Sequence, residues 1–88
     1  MAIFTSTAAA PAAYATDPTF VIPFTPKRMH LYSESVGASH VLYISFDGVT
    51  DHIRLSHVSP TYDCEQGVTR IWTRLGTDTP SCTVIAES

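Results

Sequence analysis

Residues 40–56 read HVLYISFDGVTDHIRLS, and their alternation decides the fold class. Leu42, Ile44 and Phe46 fall on one side of an extended chain, and Val41, Tyr43 and Ser45 on the other. β-Branched and aromatic residues dominate, as they do on a half-buried pleated surface. Asp47-Gly48 then supplies a turn pair. Alternation resumes with Ile53 and Leu55 inward and His52, Arg54 and Ser56 outward. The spacing predicts an antiparallel hairpin around Asp47–Asp51.

Outward from this hairpin the pattern repeats. Arg28–Glu34 alternates Met29, Leu31 and Ser33 against His30, Tyr32 and Glu34, a strand whose inner face the pattern does not select. Phe20, Ile22 and Phe24 form another, with Pro23 marking an edge or a break. Val36–Ser39 reads as a turn around Gly37. His57–Gly67 reads as a loop punctuated by Pro60, Asp63 and Gly67, with Tyr62 lying back over the core. Val68–Leu75 sets Ile71, Thr73 and Leu75 against Arg70, Trp72 and Arg74. After a Gly76–Pro80 turn, Ser81–Glu87 places Cys82, Val84 and Ala86 on one side. No stretch holds a helical period for three turns. About six short strands at regular spacing predict an all-β fold, a small antiparallel β-sandwich or jelly-roll-like barrel over residues 19–88. Residues 1–18, MAIFTSTAAAPAAYATDP, show no lasting period, and Pro11 interrupts Ala8–Ala10. They read as an extended N-terminal arm.

The chain has 88 residues, enough for one domain with a thin core. Its net charge is −3 and only 15% of its residues are charged, below the ~25% of an ordinary domain. Lys27 is its one lysine, so the polar surface is mostly Thr and Ser, an exterior suited to being covered by neighbours. Lys27, Arg28, Arg54, Arg70 and Arg74 make no basic run longer than a pair, which argues against a nucleic-acid partner. The longest mostly apolar stretches are about eight residues, far short of the ~20 of a membrane helix. The start lacks the basic region of a signal peptide. Cys64 and Cys82 leave two readings open, separate thiols or a disulfide between adjacent strands.

Candidate chemistry is sparse. Asp47, Asp51 and His52 crowd one turn, but calcium takes about six to eight oxygen ligands. A plain turn with Asp-to-backbone bonds is expected, without a metal. His30, His40, His52 and His57 could include a base, and Cys64 a nucleophile. Yet no nucleophile elbow, phosphate loop or HExxH motif accompanies them. A domain this small leaves little room for a deep substrate pocket. Neither catalytic residues nor a cofactor are expected, and the chain reads as a non-enzyme.

The candidate contact residues are Ile3, Phe4 and Tyr14, as anchors on the arm, and Arg70, Trp72 and Arg74, as one face of a strand. Arg and Trp are enriched at binding hot spots. Two placements stay open for Trp72: in the core with Ile71 outside, or on a face covered by a neighbour. Stacking on a sugar or base is a third reading, favoured only if Trp72 and Tyr43 lie open on one groove.

The pieces VLYISFDGVTDHIRL and VTRIWTRLGTDTPSCTVIAE resemble the small all-β virion proteins of tailed bacteriophages. Leu42–Gly48 match a first hairpin of that pattern. Arg70, Ile71, Trp72 and Arg74 match a closing hairpin, and Val84–Glu87 its end. The resemblance covers about half the chain and departs from the pattern at Ser59–Glu65. It implies a virion location and a structural role as a head decoration, cement, fibre-base or neck/tail component. The implied partners are further copies of the chain and other virion proteins. A carbohydrate- or host-surface-binding module of a phage tail is the alternative it allows.

Overall fold

The computed structural model describes residues 2–35, 39–65 and 67–88. Eight strands run in chain order: β1 (Ile3–Ala9), β2 (Phe20–Val21), β3 (Arg28–Glu34), β4 (Val41–Ser45), β5 (Ile53–Ser56), β6 (Thr61–Cys64), β7 (Arg70–Thr77) and β8 (Ser81–Glu87). They form two open four-stranded sheets, ordered β1-β8-β3-β6 and β2-β7-β4-β5. Every neighbouring pair is antiparallel. The chain changes sheet at each connection except β4–β5. Residues distant in sequence therefore end as neighbours in each sheet.

The expected fold is corrected in several respects. There are eight strands, not about six. They make two open sheets, not a closed jelly-roll-like barrel. Residues 3–9, expected in a loose arm, are strand β1, paired along its length with β8 from Ile3↔Glu87 to Ala9↔Ser81. β6 lies within the expected His57–Gly67 loop. The first expected strand shrinks to Phe20–Val21, because Pro23 cannot extend the ladder. The closing piece of the resemblance is not a hairpin, since β7 and β8 belong to different sheets. The β4–β5 hairpin, β3 and β8 lie where the alternation puts them. Of the turn expected at Val36–Ser39, residues 36–38 lie outside the described residues.

The core forms between the inner faces. Phe4 and Ala8 of β1, Met29 and Leu31 of β3, and Cys82, Val84 and Ala86 of β8 come from one sheet. Phe20 of β2, Leu42 and Ile44 of β4, Ile53 and Leu55 of β5, and Ile71 of β7 come from the other. Met29, Leu31, Leu42, Ile44, Ile71 and Val84 are fully buried. Each contributes about 1.5–3 kcal/mol on transfer from water, before the entropy of ordering is subtracted.

Cys64 lies opposite Met29, and Cys82 opposite Ser33, on either side of β3. Four residues along a strand span about 13 Å, whereas a disulfide needs Cα atoms roughly 4–7 Å apart. The two are buried thiols not bonded to one another. Burial pushes the Cys82 thiol up to about 12, and the thiolate is the reactive form. Neither thiol is expected to react with a bulky aromatic disulfide reagent until the chain unfolds. Immediate release of chromophore from the native protein would contradict this burial.

Candidate interaction site

β1 forms because its sequence alternates. Phe4, Ser6 and Ala8 turn inward, and Ile3, Thr5, Thr7 and Ala9 turn outward. Beyond the strand, the Ala10 N–H donates to Pro80 O at 3.0 Å and the Ser88 N–H to Ala2 O at 3.0 Å. Antiparallel bonding alternates along a strand. The backbone groups of Phe4, Ser6 and Ala8 therefore face β8. Those of Ile3, Thr5, Thr7 and Ala9 face the open edge.

The other three edges are managed differently. β2 has two residues. β5 and β6 have four each, and carry Arg54 and Asp63. Short edges and charges discourage strand addition. β1 is seven residues long and holds neither charge nor proline. Ile3, at 62% exposure, stands at its start.

On the outer face of the second sheet, Arg74 of β7 is held from three directions. Its Nε donates to Asp51 Oδ1 at 3.0 Å and its Nη2 to Asp51 Oδ2 at 2.6 Å. Its guanidinium lies 4.1 Å from the Tyr43 ring centre and 5.6 Å from that of Tyr14. The Tyr14 hydroxyl donates to Asp51 Oδ1. The β1–β2 connection is tied nearby, where the Leu75 N–H donates to Pro11 O at 2.8 Å. The Arg74 guanidinium, then the Tyr14 hydroxyl, hold the Asp51 carboxyl below its ordinary 3.8. Burial, then the bond to Asp51, pushes the Tyr14 phenol well above its ordinary 10.0.

The signs define where this latch holds. A raised phenol contributes stability below pH 10.0 that is lost as pH rises through the folded value. A lowered carboxyl contributes above pH 3.8 and loses this as pH falls through the folded value. Ultraviolet titration of tyrosinate should show a late component beyond the ordinary range, absent in Tyr14→Phe. An identical titration less one ordinary phenol would contradict the Tyr14–Asp51 bond.

The β4–β5 turn is satisfied from within. Asp47 Oδ1 accepts from the Val49 and Thr50 N–H groups, each at 2.8 Å, and from the Ser45 hydroxyl at 2.8 Å. These bonds, the backbone ones first, lower the Asp47 carboxyl strongly. The Phe46 N–H donates to His52 Nδ1 at 3.1 Å, and the two rings stack. Gly48, at φ 81°, lets the Trp72 indole lie against the backbone, because a Cβ there would sit 3.0 Å from the ring. Among the described residues no three His, Cys, Asp or Glu side chains converge as metal ligands.

The candidate contacts are thus spread over the molecule. Phe4 packs against the core. Tyr14 and Arg74 share the Asp51 latch. Trp72, half-buried on the outer face, covers the Gly48 turn, while Ile71 is in the core. Ile3 and Arg70 remain exposed. The open β1 edge escaped the sequence reading, although the alternation of Ile3, Thr5 and Thr7 with Phe4 and Ser6 was its signal.

These features define a small all-β domain with two open sheets and one long uncharged edge. No family profile matches the chain, and no curated protein matches its sequence. Solved structures share the fold. A chain from the work "Bacillus endospore appendages form a novel family of disulfide-linked pili" aligns at TM-score 0.50 and 10% identity, over 99% of this chain and 87% of that one. The Yersinia pseudotuberculosis-derived mitogen aligns at TM-score 0.50 and 14% identity, over 98% of this chain and 85% of that one.

Proposed function

We propose that the chain is a structural subunit that pairs with a second copy along the β1 edge. The observation that carries this is the uncharged seven-residue edge, beside three edges that are short or charged. Antiparallel pairing of β1 with its symmetry mate about a two-fold would join two four-stranded sheets into one of eight. Ile3, Thr5, Thr7 and Ala9 would supply the backbone bonds. That a similarly folded chain comes from pili supports the use of this fold in assemblies. The resemblance of Leu42–Gly48, Arg70–Arg74 and Val84–Glu87 to phage structural proteins supports a tailed-phage particle as the assembly, with other virion proteins as further partners.

The glycan-binding alternative asked for Trp72 and Tyr43 open on one groove. Trp72 lies on Gly48 and Tyr43 carries Arg74, so no observation favours it.

Sedimentation velocity over a concentration series tests the subunit role. Dimers or larger closed species are expected, and a monomer throughout would overturn it. Immunogold labelling of purified phage particles tests the virion assignment separately. Self-association without labelling would remove the virion and leave the subunit.

A further inference from the structure

An open cleft of about 500 Å³ lies away from the β1 edge, between the start of β4 and the β5–β6 connection. His40, Arg54, Ser56, His57 and Ser59 are in its wall, and none of its lining residues is acidic. The chain as a whole carries a net charge of −3, so this wall runs against the average. Arg28 pairs with Glu87 and Arg74 with Asp51, whereas Arg54 makes no ion pair among the described residues.

His40 is the unusual member. It is 5% exposed. Its Nε2 lies 2.8 Å from the Ser33 hydroxyl. Its Nδ1 is buried without a partner among the described residues, an arrangement that folded proteins rarely leave in place. The His57 ring stands edge-on to it at 6.5 Å, and the His57 N–H donates to His40 O at 3.3 Å. If Ser33 donates to Nε2, the ring proton sits on Nδ1 and makes it a donor. Buried donors beside a guanidinium, with no carboxylate, suit an anion. A cation would meet the charge of Arg54 and find no third ligand among the described residues.

We propose that this cleft binds a tetrahedral oxyanion, phosphate or sulfate, free or as a terminal ester. Arg54 and His57 contact it in the open cleft, and His40 Nδ1–H, which has no exposed surface in the empty cleft, becomes a donor to it when the wall around His40 opens on binding. The site is independent of β1 pairing.

The test is titration of the ¹⁵N-labelled full chain with inorganic phosphate near neutral pH at constant ionic strength, with chloride as control. Saturable shifts confined to the cleft amides and the His40 and His57 imidazoles are expected, absent with chloride. Arg54→Gln and His57→Asn, both at exposed positions, should each weaken binding by about ten-fold, the order expected for one charge-assisted contact. Preserved dispersion of the remaining signals shows that they fold. Glucose 6-phosphate distinguishes the sources: matching shifts indicate an esterified ligand, and a response to inorganic phosphate alone a free ion. Shifts that never saturate, equal shifts with chloride, or unchanged affinity in Arg54→Gln would overturn the site. A proton on His40 Nε2 in the phosphate complex would overturn the role of Nδ1.

Discussion

Thr5→Pro is expected to leave the chain folded and to weaken the proposed β1 self-association roughly 100-fold. The Thr5 N–H faces the open edge, because its even-numbered neighbours bond to β8. Proline there removes no bond within the chain, and edge strands tolerate it at such positions. Between copies it deletes a donor and sets a ring against the approaching backbone. In a two-fold pair both copies lose it; at about 1.5 kcal/mol each, the dissociation constant should rise roughly 100-fold. Melting of the monomer should move by less than about 5 °C. Ser6→Pro, one residue on, should do the opposite. Its N–H bonds to β8, so the monomer itself should lose about 3 kcal/mol. Sedimentation and circular dichroism separate the two variants. Thr5→Pro assembling as the parent does would remove β1 from the interface.

Gly76→Val should lower the melting temperature by about 10 °C or more, a loss of roughly 2–3 kcal/mol. Val41 pairs with Thr77 and Leu42 with Leu75, so Gly76 is the extra residue of a β-bulge. A Cβ on it would lie 2.8 Å from Tyr43 Cε2 and 2.9 Å from Val41 Cγ1. Both side chains must move. Tyr43 carries the Arg74 guanidinium and Val41 lines the cleft, so the strain spreads to both. Gly67→Ala meets only the Thr25 methyl, at 3.1 Å, and the Pro26 carbonyl oxygen, at 3.9 Å, and should cost less. Thermal unfolding followed by circular dichroism measures the difference. Equal melting of Gly76→Val and the parent would contradict the close packing at the bulge.

The strands legible in the sequence are those with strong apolar contrast. β3 and β8 occupy Arg28–Glu34 and Ser81–Glu87, the ranges their alternation marks. β1 was hidden because its inward positions, Ser6 and Ala8, are small and its outward ones include Ile3. β6 was hidden because Thr61, Tyr62 and Asp63 are all exposed and Cys64 alone is buried. The sites depend on tertiary geometry. Arg74 and Asp51 are 23 residues apart and meet only through the pairing of β4 with both β5 and β7. Tyr14 joins them because the β1–β2 connection crosses between sheets. The burial of His40 likewise depends on its placement against β3 and Ser33. His40 shares the side of Leu42 and Ile44 in the alternation, but nothing near it in the chain marks the bond to Ser33.

The pairing of β1 with β8 also has a consequence in time. Thr7 and Thr83 are hydrogen-bonded across 76 residues. A ribosome makes β1 early and its partner only after nearly the whole body has emerged. Through that interval β1 can find no native ladder on its own chain, and closing so long a loop is slow. The strand proposed to pair copies is therefore also the one that waits longest for its partner within the chain, and the one most open to exchange with a second chain before its sheet closes.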